Sequence, residues 1–242
     1  MTSYKRVIQQ NDKVINSLVE FSGLERWLVQ NIVQYANQMP KVKGGEVDLL
    51  IFTAQMSRQF DINATHVIQI MYETIKRISK TKVMMVEDYA RCVCMFLSDD
   101  LDLQIDYAFA VYDTKCDGLV KVGDMSTLLK VCVLSTDPND ETEAEDSLRD
   151  LEDFVLKIIE NVSKEGLRLE AFRKLVKQNR LYLELFGQCF PSDKFKLSFK
   201  EKLTGVTPFQ VSQMFASERR IALGGPAGKV KTANLYPIPL DM

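Results

Sequence analysis

Asp113-Thr-Lys-Cys-Asp-Gly-Leu-Val-Lys-Val-Gly-Asp124 decides how the rest of the chain is read. Carboxylates stand at its first, fifth and twelfth positions, as Asp113, Asp117 and Asp124. Gly118 falls sixth, where a metal-wrapping loop turns through a conformation that glycine reaches cheaply. Leu119 offers its carbonyl at the seventh position, and Val120 holds the eighth, where two such loops pair through a short strand. The frame is that of a twelve-residue calcium loop between two helices. Its chemistry is weakened: Lys115 takes the third position, Lys121 the ninth, and Asp124 replaces the bidentate Glu of a strong site. An ammonium about 5 Å from a divalent ion is repelled by several kcal/mol at an effective dielectric of about 20, and by under about 2 in water. Asp113, Asp117, Leu119 and Asp124 are therefore the candidate ligands of one weak or vestigial site, for calcium or for competing magnesium.

Helical periodicity flanks this loop on both sides. Ile105, Phe109 and Val111 mark an entering helix over 101–112, and Met125, Leu128, Leu129 and Val131 mark an exiting one. Three more helix-loop-helix units fit the remaining pattern, recurring about every 38 to 45 residues, which is the pitch of an EF-hand array. The first has helices ending near Gln38 and Phe60, separated by Pro40 and Gly44-Gly45, with Ser22 and Glu25 read as a capping box. The second is read with a loop from Lys76 to Glu87, Val83 eighth and Glu87 twelfth, and no ligands at its first, third and fifth positions. The fourth is read with a loop from Glu160 to Ala171, Leu167 eighth, and Ala171 without a side-chain oxygen.

The fold class expected is all-α: two pairs of EF-hand units with short loop strands, plus an extended C-terminal tail. The divisions are an N-terminal helix over 1–21, a degenerate first pair over 22–99, a second pair over 100–191, and a mostly irregular tail over 192–242. A short helix is expected after Thr207, and from Lys194 onward eight Lys or Arg outnumber the acids. Between Ser135 and Asp153 nine acids face Arg149 alone, which reads as a solvated linker.

At 242 residues, 46% hydrophobic and 26% charged, the chain can bury a full core. Its net charge of -2 and pI near 5.6 argue against a nucleic-acid partner. No long apolar run suggests a membrane span, the N-terminus lacks a signal-peptide core, and Thr2 excludes myristoylation. Cys92, Cys94, Cys116, Cys132 and Cys189 lack zinc-like spacing and read as reduced thiols. His66 is the single histidine, and no phosphate loop or nucleophile set is present, so catalysis is not expected.

The segment Leu181-Tyr-Leu-Glu-Leu-Phe-Gly-Gln-Cys-Phe-Pro191 resembles the ending of calaxins, calcium-binding proteins of ciliary outer dynein arms. Other similarities are a ligand-free first unit, a second unit with Val83 and Glu87 in place, a third unit closing on Tyr112-Asp113, and an acidic linker before the fourth. More distantly the plan is similar to that of neuronal calcium sensors. The resemblance implies a non-enzymatic protein of the cytoplasm, cytoskeleton and ciliary or flagellar axoneme, with tubulin, a docking-complex coiled coil or dynein as partners and no membrane. Calcium residues carry over only as Asp113, Asp117, Gly118 and Leu119.

A structural adaptor that has largely lost its ion is thus expected. The alternative is a live calcium or magnesium sensor acting through the third unit to regulate dynein. Sensor hands open on binding metal and expose an apolar groove. Without ligands, any groove here must be held open or filled permanently, and a partner helix is the expected occupant.

Overall fold

Val120 and Leu167 exchange reciprocal backbone hydrogen bonds, each N–H reaching the other's carbonyl at 2.9 Å. This antiparallel bridge joins the third and fourth units at the eighth position of each loop. The computed structural model describes residues 2–121, 129, 149–151, 153–155, 157 and 166–205, the first nine of these as backbone alone. In order they form α1 (Thr2–Ser22), α2 (Arg26–Gln38), α3 (Leu49–Phe60), α4 (Thr65–Ser79), α5 (Val86–Leu97) and α6 (Leu101–Tyr112). After the fourth loop come α7 (Leu169–Gln178), a 3-10 helix (Arg180–Glu184) and α8 (Asp193–Gly205). Among the described residues the regular structure is helical, apart from that bridge and a second between Glu46 and Met85. The fold is all-α.

The second loop lies one residue later than its sequence reading. In the fourth unit the bridging Leu167 is followed two residues on by the start of α7. The same offset before α5 places Met84 eighth and Asp88 twelfth, in place of Val83 and Glu87. Burial agrees: Met84 is fully buried and Val83 is 41% exposed, while Val47, Val120 and Leu167 are buried like Met84. The Val47 N–H donates to the Met84 carbonyl at 2.9 Å, closing the first pair. The shift arises because α4 does not stop near Ile75 but continues through Ser79. Arg77, Ile78 and Ser79 have no carboxylate to offer a metal, and the helix continues through them. Lys80 then ends the helix in the left-handed region at φ 56°, with its N–H on the Arg77 carbonyl and that of Thr81 on the Lys76 carbonyl.

Ser22 also serves differently from its sequence reading. Its hydroxyl donates back to the Leu18 carbonyl at 2.6 Å inside α1, and α2 begins after Glu25, whose carboxylate accepts from the Trp27 indole and caps no backbone N–H. Asp48 does cap α3, accepting from the Ile51 N–H at 2.8 Å. Ile15 and Leu18 bury α1 against α2 and α5, and Ser98 donates to the Ser22 carbonyl at 2.6 Å to fix its end.

One run of aromatic rings threads the core. Tyr35, Phe199, Phe60 and Phe96 follow with centroid separations of 5.2, 4.9 and 5.4 Å. Phe96 continues to Phe190 at 6.0 Å, and Phe190 to Tyr107 at 5.4 Å. Farther along, Phe186 packs on Tyr112 at 5.0 Å and on Phe172 at 6.4 Å.

Within the span read as mostly irregular, 193–205 form α8, with Phe199 and Leu203 buried one helical turn apart and Phe195 half-buried a turn before them. The interleaved lysines at 194, 196, 200 and 202 hide this stripe in the sequence. The helix expected after Thr207, the acidic linker up to residue 148, and Cys132 lie outside the described residues.

Cys92, Cys94 and Cys189 are buried and Cys116 is exposed. Burial pushes the Cys94 thiol up to about 12 and raises that of Cys92 well above its ordinary value. A short pulse of iodoacetamide on the native chain at pH 8, read by peptide mass spectrometry, is expected to label Cys116 about a hundred-fold faster than these three. Comparable labelling of Cys94 would contradict this burial.

Candidate metal loop and the filled groove

The third loop begins where α6 runs out. Asp113 still donates its N–H to the Phe109 carbonyl at 2.8 Å, then turns its carboxylate back over the loop. One oxygen accepts from the Asp117 N–H at 3.1 Å and the other from the Gly118 N–H at 2.9 Å. These bonds tie the loop's own backbone to its first carboxylate. Gly118 sits at φ 76°, as its sixth position requires, and Cys116 at φ 58°.

Asp117 faces a cation of the chain's own. Its carboxylate accepts from the Leu119 N–H at 3.0 Å and pairs with the Lys121 ammonium at 3.0 Å. The lysine is the main reason that this carboxyl is held below its usual range. So an ammonium occupies one of the oxygens that a metal would use, and Lys115 stands at the third position. Asp124 lies outside the described residues. Calcium takes six to eight oxygens, and among the described residues no three His, Cys, Asp or Glu side chains gather to hold a metal. The described part of the loop therefore does not fit calcium as it stands. Asp113 and Asp117 are brought together by the loop's own amides and by Lys121.

Arg77 adds a second cation at the same place. In the corrected register it holds the first position of the second loop, where a ligand carboxylate would stand. It reaches instead across to the end of α6, donating to the Ala110 carbonyl, to the Asp113 carbonyl at 3.4 Å and to the Cys116 sulfur. A guanidinium at a helix C-terminus is favoured by the exposed carbonyls there. The sequence reading missed this residue because its contacts lie more than thirty positions away.

In the fourth loop, Gly166 at φ 126° passes close to the bridge. A Cβ there would meet the Val120 carbonyl oxygen at 2.8 Å, so only glycine fits. Ala171, at the twelfth position, is half-buried beside the core and has no oxygen to give.

The groove of the first pair is occupied. α8 packs on α2, α3 and α5, and Phe199, 2% exposed, fills the space between Tyr35 and Phe60. Polar contacts fix its register: Asn31 donates to the Leu203 carbonyl at 3.2 Å and Lys202 to the Gln59 side chain at 2.7 Å. The helix expected to come from a partner is here supplied by the chain. The Leu181–Pro191 segment is likewise inward-facing for the most part. The Tyr112 hydroxyl lies 3.1 Å from the Leu183 carbonyl and 2.8 Å from that of Gly187, with Phe186, Cys189 and Phe190 buried around it. Leu181, 81% exposed, and the polar Glu184 and Gln188 are the exposed positions of this segment.

The Val120–Leu167 bridge, the Val47–Met84 backbone bond and the all-helical frame give the chain an EF-hand type of fold. The chain is similar to calaxins: 30% identical to that of Xenopus laevis over 117 residues, 28% to that of Danio rerio over 117, and 26% to that of Homo sapiens over 118. These matches cover 48 to 49% of this chain and 55% of each relative, so the chain spans about half the length of the curated relatives it matches. No protein-family profile matches the chain. The calaxin resemblance read from the residues is what the comparison finds.

Proposed function

We propose that the chain is a non-catalytic EF-hand adaptor of the ciliary or flagellar axoneme, docking on microtubule doublets or the outer dynein arm docking complex with calcium binding largely lost. The observation that carries this reading is α8 in the first groove. A groove filled by a tethered helix has no need of metal to open it, and a free partner helix competes against an effective concentration in the millimolar range for short flexible tethers. The Lys121–Asp117 pair and the Arg77 contacts support the same reading at the third loop. The similarity to calaxins supports the axonemal setting and protein partners such as tubulin, a docking-complex coiled coil or dynein.

A second reading keeps the third loop as a live calcium or magnesium site that regulates dynein. What favours it is the pre-shaped loop, with Asp113 already turned inward and Gly118 already in its bound-type conformation. Pelleting of the full chain with axonemal doublets, in chelator and in saturating calcium, separates the two. Equal pelleting is expected. A tenfold or larger change on adding calcium, lost in Asp113→Asn, would replace the adaptor reading with the sensor reading.

A further inference from the structure

An apolar cleft of about 280 Å³ opens between the end of α1 and helices α4, α5 and α6. Phe21, Ile75, Met95 and Leu103 wall it. Its volume lies just below the roughly 300–1,000 Å³ typical of small-molecule sites. Two hydroxyls among its lining residues, those of Tyr107 and Ser79, are buried and make no hydrogen bond among the described residues. Buried polar groups without partners are few in folded proteins, and each asks for an explanation. Arg91 stands at the same cleft with its guanidinium 4.8 Å above the Phe21 ring, and among the described residues it makes no ion pair. Among the described lining residues the carboxylate is that of Asp106, which is bound to Arg173 at 2.5 Å.

We propose that this cleft binds a small aliphatic ligand with an anionic acceptor head, the class of medium-chain monocarboxylates. The apolar walls take the chain, and the charge of Arg91 complements the head. The hydroxyls of Tyr107 and Ser79 supply further donors, and a charged acceptor satisfies a buried donor better than a neutral one does. An ammonium head fails on both counts, since it accepts nothing and meets Arg91. The cleft shares no residue with the Asp113–Asp124 loop or with α8, so its test is independent of the adaptor reading.

The experiment is a titration of the full ¹⁵N-labelled chain with sodium decanoate below its micelle concentration, followed by amide shifts in α4, α5 and α6, with decylammonium as the control. One saturable site is expected for decanoate and none for decylammonium. Arg91→Gln is expected to weaken binding about ten-fold, and Tyr107→Phe about five-fold. The proposal is overturned by non-saturating shifts, by equal affinity for the two amphiphiles, or by unchanged affinity in both variants. It is also overturned if Tyr107 shows Overhauser contacts to residues beyond Gly205, which would give the cleft to the chain's own C-terminal residues. Tyr107 shifts that depend on protein concentration without decanoate would give it to a second copy, with the same consequence.

Discussion

Phe199→Ala is expected to lower folding stability by about 4 kcal/mol, in the range for truncating a buried phenylalanine. The ring has Tyr35 on one side at 5.2 Å and Phe60 on the other at 4.9 Å, and Phe60 carries the contact on to Phe96 in α5. Its removal leaves a cavity in the middle of the aromatic run, where neighbours on three different helices cannot all move inward. Leu203, the half-buried Phe195 and the polar contacts of Asn31 and Lys202 are then what the described residues keep against α8. Each such hydrogen bond contributes only about 1 kcal/mol net, so α8 is expected to open locally before the rest of the fold does. Urea unfolding reads the first effect and hydrogen exchange over 193–205 reads the second. Leu197→Ala is the control, since Leu197 is 59% exposed on the same helix and its loss is expected to cost under about 0.5 kcal/mol. Equal effects of the two substitutions would mean that α8 does not dock as described.

The same substitution bears on function. With α8 released, the first groove presents Tyr35, Phe60 and their neighbours to solvent. A hydrophobic dye that binds Phe199→Ala but not the parent chain would show that α8 is what keeps this surface covered. Partners that need a free groove would then bind the variant better, while those that read the outer face of α8 would bind it less.

Much of the scaffold could be read from the residues because it rests on local rules. Helical stripes such as Val67, Ile68, Met71 and Ile75, and a glycine at the turn of the third loop, announce themselves within a few positions. The eighth-position pairing of Val120 with Leu167 follows from counting twelve-residue frames. What escaped depends on contacts distant in sequence or on a helix that overruns its expected end. The inward placing of Val83 takes Ile75 as the end of α4, whereas α4 runs on to Ser79 and moves the loop by one residue. Arg77 gave no signal, since a basic residue near a helix end is ordinary. The α8 stripe of Phe195, Phe199 and Leu203 was visible at four-residue spacing but sat among lysines in a segment whose later part is rich in Pro and Gly. At the third loop the lysines at 115 and 121 are plain in the sequence, but the pairing of Lys121 with Asp117 is a matter of coordinates.

Asp113→Ala is expected to destabilise the chain by about 3 kcal/mol in chelator, with no metal involved. The carboxylate is buried and accepts from two backbone N–H groups, those of Asp117 and Gly118. Hydrogen bonds to a charged acceptor contribute about 1.5–3 kcal/mol each, and alanine would leave both donors to find other partners in a tight turn. Asp113→Asn keeps one accepting oxygen and is expected to lose about half as much. Thermal or urea unfolding of the three chains in EDTA checks the order. A loss of the same size only in the presence of calcium would mean that the ion, rather than the loop's own amides, is what Asp113 holds. Because alanine damages the loop in either case, loss of a calcium response in Asp113→Ala cannot by itself assign a ligand. The informative comparison is Asp113→Asn with Lys121→Gln: a true metal site weakens in the first and strengthens in the second, where Asp117 is freed from its ammonium. A loop that serves only as scaffold changes its stability in these variants and gains no affinity in either.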